Sequence, residues 1–364
     1  MIATMYLVSL TLNNFKNYAQ WEAEFCSNVN CVVGGNGLGK TNLLDAIYYL
    51  SFGKSCLNPI DSLNIRQGED YFAIHGNYQM EGERVMVSCI ERKGQPKQLR
   101  WNKKTYKTLG EHIGRIPLVM VSPYDQLLIQ GGGEVRRKFV DGVVSQTDRG
   151  YLTHLLQYQK AVEQRNHLLK QFYEDRYWDE AAIAVWDEQL VRHGQVIYEG
   201  RKAFMEEFTP LFADYYAWLT DGSEAGVMEY EGHADVPLQQ QLEQARPNDR
   251  YATFTTVGPH KDDWVLRIGE QQVKRFGSQG QQKTFVLALK LAQFEYMFRR
   301  GGVKPILLLD DVFDKLDMNR VSQLFRLVGG DRFGQVFLTD TQPGRVQKLM
   351  SDIPNVEYKV FDIK

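Results

Sequence analysis

With 364 residues, 43% hydrophobic and 24% charged, the chain is long enough for two or three domains and has the balance of an ordinary globular protein. No stretch approaches eighteen uninterrupted apolar residues, so no transmembrane helix and no membrane partner are expected. A formal net charge of -2 gives no global basic footprint, and any nucleic-acid surface must be local.

Residues 1–8 lack a basic n-region and a long apolar core, and read as a first strand rather than a signal peptide. Cys26, Cys31, Cys56 and Cys89 form no C-x-x-C pair and meet no clustered histidines. That argues against a zinc site and for reduced, buried thiols in a cytoplasmic protein. Residues 6–12 show a partial strand alternation, with 21–25 as the hairpin partner. The apolar run 29–33 leads into Gly34, Gly35, Asn36, Gly37, Leu38, Gly39, Lys40 and Thr41, after which 42–50 is amphipathic. Residues 71–79 and 85–91 read as antiparallel strands joined at Glu81-Gly82. Residues 97–107 gather Lys97, Arg100, Lys103, Lys104 and Lys107 around Trp101 and Tyr106. A short apolar strand at 116–121 closes this part.

From about 133 to 220 the apolar spacing lengthens to three and four, through Leu152, Leu155, Leu156, Leu168, Leu169 and Phe172 and again through Val185, Leu190, Phe204, Phe208 and Phe212. These are long amphipathic helices, forming either a projecting arm or a packed subdomain. Residues 221–250 are polar, with one short helix at 237–245. Strand texture returns at 252–257 and 264–269. A periodic helix covers 284–298, the strand 306–309 ends in Asp310-Asp311, a helix covers 318–328, a strand 335–339, and a last helix starts at 343. The expected layout is an α/β head with a mixed sheet, made of residues 1–122 and 251–364. A helical lobe, 123–250, splits it.

The run 34–41 fits G-x-x-x-x-G-K-[ST] in its strand–loop–helix setting. Backbone N–H groups of such a loop, with the helix dipole, hold phosphate oxygens. Lys40 is expected on the β- and γ-phosphates and Thr41 on Mg²⁺. Asp310 is a candidate metal holder and Asp311 a candidate water activator, the plain alternative being a helix N-cap after a strand. Ser278 opens a long helix, either as a simple N-cap or as a second helix terminus aimed at phosphate. Two such termini facing one γ-phosphate suggest a head-to-tail dimer.

The order of glycine loop, serine–glycine–glutamine signature and double acid resembles the ATP-binding-cassette ATPases. The split head and the lack of membrane segments narrow this to the chromosome-maintenance branch. Residues 10–18, 34–41 with Leu44-Asp45-Ala46-Ile47, Val121-Ser122-Pro123, 131–141, Gly258-Pro259-His260-Lys261-Asp262-Asp263, 277–283 and 307–317 are similar to the RecF family. That resemblance implies a weak, DNA-stimulated, switch-like ATPase of recombinational repair that uses ATP and Mg²⁺. Its expected partners are double-stranded DNA and double/single-strand junctions, a second copy of itself in an ATP-dependent homodimer, and a RecR-type mediator. By the resemblance, Phe15, Lys16 and Asn17 approach base and ribose, while 34–41 with Asn42 hold phosphates. Ser278, Gly280 and Gln281 act on the other copy, Asp310 and Asp311 serve metal and hydrolysis, and Asp317 sits at the dimer seam. Against this, Phe15 also reads as a core aromatic, and Lys16 and Asn17 as a solvated turn.

Three departures bear on turnover. Asp311 stands where transporters carry Glu, the strand 336–339 ends in Asp340-Thr341 with no histidine, and Lys283 replaces Arg, losing a bidentate fork. The basic hairpin 97–107 reads equally as a phosphate-backbone track or a solvated hairpin. Arg136, Arg137 and Lys138 begin a helix against its dipole and must meet an anion or neighbouring carboxylates. A rival reading has the ATPase gate a nuclease built on His260, Asp262 and Asp263. A third, a transporter ATPase, calls for a sensing histidine that this chain lacks and has no need of a helical insert.

Overall fold

The structure, a computed structural model, describes residues 5–232, 235–312, 324, 327, 330, 332–342, 344–345, 348, 350 and 356–364. The chain divides into two compact units, one of Met1–Asp125 with Leu287–Lys364, the other of Gln126–Val286.

In the first unit, β1 (Met5–Phe15), β2 (Tyr18–Glu24), β4 (Tyr71–Met80), β5 (Glu83–Arg92), β6 (Gln98–Trp101) and β7 (Lys104–Thr105) form an antiparallel sheet ordered β2-β1-β4-β5-β6-β7. The partial alternation of β1 has a cause: its register against β4 shifts between Leu7 and Ser9. That bulge lets Leu7, Leu10 and Leu12 all be buried despite their uneven spacing. Glu81 and Gly82 both have positive φ, as a tight β4–β5 hairpin turn requires. A second sheet, ordered β14-β3-β13-β12-β8, is parallel throughout its described pairs. It contains β3 (Val29–Val33), β8 (Leu118–Val121), β12 (Ile306–Leu309), β13 (Val336–Asp340) and β14 (Tyr358–Asp362). The expected mixed pairing is thus divided between two sheets.

Helix α1 (Lys40–Phe52) ties the sheets together. Its Leu43, Leu44, Ile47 and Leu50 share one core with Leu10, Leu12 and Phe15 of the first sheet and Leu118, Leu308 and Phe337 of the second. The buried Gln335 amide stitches them further, accepting from the Leu7 N–H at 2.7 Å and donating to the carbonyls of Leu7 and Cys26 at 2.8 Å each. Burying an amide is tolerated here because its hydrogen-bonding capacity is used. Of the four thiols, Cys26, Cys31 and Cys89 are buried as expected. Cys56 is exposed, its Sγ donating to Asp45 at 2.9 Å.

The second unit holds α2 (Leu127–Gln130), α3 (Gly133–Thr147), α4 (Arg149–Glu174), α5 (Glu180–Leu219), β9 (Gly226–Glu231), α6 (Leu238–Ala252), β10 (Asp263–Ile268), β11 (Gln271–Gln272), α7 (Val273–Phe276) and the start of α8 (Gln279–Gly301). Asp148 caps α4 through the Tyr151 N–H, and Asp179 caps α5 through the N–H groups of Ala181 and Ala182. At 1.5 Å per residue, α5 is about 60 Å long.

Four expectations need correction here. Residues 252–257 are not a strand: Ala252 ends α6, and Thr255 and Thr256 instead bond the side chains of Asn166 and Asp249. The short helix at 237–245 extends to Ala252. The polar stretch after 221 contains β9, which pairs with β10 from Asp263↔Glu231 to Ile268↔Gly226. That pairing groups residues 251–286 with the helical unit, whereas the expected head resumed at 251. The helices expected at 318–328 and from 343, and Asp317, fall largely or wholly outside the described residues.

Buried arginines organise this unit. Arg201 donates to Asp141 at 2.9 and 3.0 Å, to Asp262 at 2.7 Å and to the Pro259 carbonyl at 2.6 Å. Arg165 joins Asp187, Asp249 and Thr255. Such lattices hold only when the buried charges are paired and bonded.

Candidate nucleotide site

The glycine loop leaves the carboxyl end of β3, in the same parallel sheet whose β12 ends at Asp310. Ligand sites of open α/β sheets form at the carboxyl ends of such strands. Gly34, Gly37 and Gly39 have φ of 152°, 79° and 110°, values open to glycine at no steric cost. A Cβ on Gly39 would sit 2.4 Å from the Asn17 amide, and one on Gly34 would sit 2.5 Å from the Ile363 carbonyl. Gly35, Asn36, Gly37 and Leu38 are exposed, and no side chain caps the start of α1.

Lys40 is nearly buried, its ammonium donating to the carbonyls of Gly34 and Gly35 at 2.9 Å each. The Thr41 hydroxyl donates to Asp310 Oδ1 at 3.0 Å, joining the loop to the end of β12. Asp310 is 2% exposed. Burial pushes its carboxyl up to about 6. The charge of Asp311 adds to the rise, while hydrogen bonds from Thr339 and Thr41 and the Lys40 charge oppose it. Asp311 adopts φ 47°, a left-handed conformation of a kind that concentrates at functional sites.

Thr339, at the end of β13, went unnoticed in the sequence. Its hydroxyl accepts the Asp311 N–H at 2.9 Å and donates to Asp310 Oδ1 at 2.9 Å, so one buried side chain fixes both acids. Its only sequence signal is its place at the carboxyl end of an apolar strand. Next to it, where a histidine was sought, Asp340 receives a two-pronged contact from Arg345, both bonds 2.8 Å. A hydroxyl and a carboxylate 3.0 Å apart are hard oxygen donors that suit a magnesium ion completed by phosphate and water.

Asn17 clamps the loop from behind. Its amide donates to the Leu38 carbonyl at 2.9 Å and accepts from Asn42 at 2.8 Å, while the Tyr18 hydroxyl donates to the Gly39 carbonyl. Lys16 turns inward to the buried Asp45, 2.5 Å away. Phe15 corrects the expectation of a base contact: its ring is wholly buried, edge-on to Tyr49 and Phe72. The three residues 15–17 therefore face core, α1 and loop respectively.

The signature lies in the helical unit. Ser278 is exposed at the start of α8; its Oγ accepts the Gln281 N–H at 3.2 Å, and Gln281 Oε1 accepts the Ser278 N–H at 2.8 Å. This is a reciprocal capping box. Among the described residues the serine O–H has no acceptor, and Gly280 lies between the two partners.

In the basic hairpin 97–107, Lys97 pairs with Asp61, and the Arg115 guanidinium lies over both Trp101 and Tyr106. Lys103, Lys104 and Lys107 are exposed. The cations of α3 meet protein partners: Arg136 forks onto Asp263 at 2.6 and 2.8 Å, Arg137 bonds the Asp262 carbonyl, and Lys138 pairs with Glu134. The acids of the rival nuclease cluster are spent in the same way. Asp262 binds Arg201 and Tyr230, Asp263 binds Arg136, and His260 bonds Tyr158 and the Thr255 carbonyl. Burial holds His260 down to about 4. Among the described residues, no helix is long and apolar enough to cross a membrane.

A family model described as an AAA domain matches residues 9–182. The chain is 47% identical over 363 residues to the DNA replication and repair protein RecF of Phocaeicola vulgatus, covering 99% of this chain and 97% of that one. The chain belongs to the RecF family. The RecF of Flavobacterium johnsoniae is 44% identical over 360 residues, covering 99% of this chain and all of that one. A solved structure of the recombination mediator protein RecF-ATP in the RecFOR pathway is similar with a TM-score of 0.89 at 30% identity, over 99% of this chain and 96% of that one. An Smc head domain from Pyrococcus furiosus matches with a TM-score of 0.58 at 16% identity over 99% and 94% of the two chains. It shares the fold, and the head is a P-loop ATPase of the ATP-binding-cassette type.

Proposed function

We propose that the protein is an ATP-dependent DNA-binding protein of recombinational repair and replication, working in the cytoplasm. The observation that carries this is the Thr41–Asp310 bond beside an uncapped, glycine-built helix start. It supports reading Thr41 and Asp310 as a metal-binding pair beside a phosphate cradle. The names of the RecF relatives support the repair role, and the RecF-ATP structure supports the nucleotide.

In this reading the N–H groups of 35–41 and the Lys40 ammonium bind the triphosphate, and Asn17 and Asn42 keep the loop in shape. Lys40 exchanges its two carbonyl partners for phosphate oxygens. Thr41 and Asp310 would hold Mg²⁺, which would supply charge to neutralise the β- and γ-phosphates. Burial raises the Asp310 carboxyl to about 6, and a bound cation would favour its ionised form. Asp311 positions the attacking water. Being one carbon shorter than Glu, and held by Thr339, it gives slow, DNA-stimulated turnover suited to a switch.

Ser278 donates its free hydroxyl to the γ-phosphate held by a second copy, so ATP stabilises a homodimer that closes on duplex DNA near single-strand gaps. ATP shifts the population because it binds the closed dimer better than the monomer. Lys103, Lys104 and Lys107 supply phosphate contacts, and a RecR-type mediator joins at the double/single-strand junction to load recombinase. Light scattering with and without ATP tests the central step. Wild type is expected to double in mass with ATP and Ser278→Arg to stay monomeric. A wild type that remains monomeric at micromolar concentration removes the reading.

A further inference from the structure

Glu224 lies in the turn between α5 and β9, far in sequence from any nucleotide motif. One carboxylate oxygen accepts from Gln281 Nε2 at 2.8 Å, and the other accepts from the Tyr216 hydroxyl at 2.6 Å. Gln281 is the residue whose other side-chain atom and backbone N–H complete the capping box with Ser278. The orientation of that box therefore depends on which way the Gln281 amide points. An amide has separate donor and acceptor ends, and Glu224 holds the donor end, leaving the acceptor end on the Ser278 N–H.

The same corner is gripped by packing. Tyr216 and Phe212, both fully buried on the last turns of α5, lie against Phe285 of α8 with ring centroids 5.4 and 4.6 Å away. Gly226, just beyond Glu224, lacks a Cβ where one would sit 2.7 Å from the Tyr216 ring. Thr220 closes α5 by donating to the Tyr216 carbonyl at 2.8 Å, and the Asp221-Gly222 turn takes positive φ at both residues. The end of a 40-residue helix is thus joined to the first turns of α8 by a bonded relay and an aromatic stack, with the exposed Ser278 hydroxyl at its far end.

We propose that Glu224 is a positioning residue that couples the C-terminal end of α5 to the signature, fixing Ser278 and Gln281 for contact with the nucleotide of a second copy. A rotation or shift of α5 moves Tyr216 and, through Glu224, turns the Gln281 amide. The helical unit thereby sets how readily the ATP-bound dimer closes. The coupling rests on the proposed action of Ser278 on the second copy.

The test uses the full chain, with ATP affinity measured on dilute monomer and ATP-driven dimerisation followed by light scattering across protein concentration. Glu224→Ala is expected to raise the concentration for half-dimerisation roughly tenfold, the scale of a lost hydrogen bond to a charged group, while monomer ATP affinity is unchanged. Glu224→Gln keeps an acceptor for Gln281 and is expected to restore dimerisation to within about twofold of wild type, as one retained bond implies. Tyr216→Phe keeps the ring stack, loses the hydroxyl and should fall between. Amide hydrogen exchange over 279–286 should speed up in Glu224→Ala and not in Glu224→Gln. Dimerisation of Glu224→Ala equal to wild type, or equal weakening by the Ala and Gln variants, overturns the coupling alone. A wild type that stays monomeric in ATP, indistinguishable from Ser278→Arg, overturns the second-copy reading and the coupling with it. If Glu224→Ala does not fold, Tyr216→Phe and Glu224→Gln carry the same comparison.

Discussion

Two helix starts in this chain carry sequence signatures, and they are built in opposite ways. Helix α1 begins at Gly39 in a left-handed conformation with no side-chain cap, so its first N–H groups are unspent. Helix α8 begins with Ser278 and Gln281 capping each other. An uncapped start keeps its dipole and donors for an anion. A capped start is stable by itself and offers chiefly one hydroxyl proton. In the proposed function, gripping a nucleotide therefore falls to α1, and sensing one to α8.

The largest effect expected from this contrast is at Lys40. Lys40→Ala removes the cation that the proposed function assigns to phosphate at the uncapped start. ATP affinity should fall roughly a hundredfold or more, equivalent to about 3 kcal/mol for charge-assisted bonds. Isothermal titration on the monomer reads this, and a loss under threefold would mean that α1 does not grip. Gly39→Ala comes next. It forces a side chain into φ 110° and within 2.4 Å of the Asn17 amide, a strain on the order of 2 kcal/mol. A drop in thermal stability with a parallel loss of ATP binding is expected, and unchanged melting would remove the claim that glycine is required there.

Asp310 supplies a pH signature that α8 does not share. Its folded value of about 6 lies above the ordinary carboxylate value, so the folded state binds the proton more tightly. The stabilisation is full below about pH 4 and is lost as pH rises through about 6, on the order of 3 kcal/mol in total. In chelator, wild type should lose stability relative to Asp310→Asn across that window by denaturant melts. Parallel curves would sink the assignment.

The two starts were also unequally legible in the sequence. The glycine loop and its flanking strand and helix are contiguous, and their spacing alone fixes strand, turn and helix. The capping box is likewise local. What holds each in place is not. Thr339 reaches Asp310 and Asp311 from another strand, Ile363 packs on Gly34 from the chain's end, and Glu224 meets Gln281 across a separate element. Strand β14 escaped notice because four of its five residues are exposed, as befits an edge strand. Residues 252–257 misled because β-branched residues favour strands only when a neighbouring strand packs on them. Here Asn166 and Asp249 claim the threonines instead. Phe15 shows the same limit, since an aromatic at the end of a strand has no local mark that says core or base.

The smallest effect in energy separates the two roles of Ser278. Ser278→Ala deletes both the cap and the free hydroxyl, so a loss of about 1 kcal/mol in stability together with weaker dimerisation would not tell them apart. Ser278→Asp does. Aspartate caps a helix as well as serine, and its charge favours the positive end of the dipole, so stability should stay within about 0.5 kcal/mol of wild type. The same charge would meet the γ-phosphate proposed to come from a second copy, and like charges would repel there. A variant that melts as wild type does, binds ATP as a monomer and yet fails to dimerise would mean that α8 senses phosphate through the serine. A variant that dimerises normally would leave Ser278 a cap and nothing more.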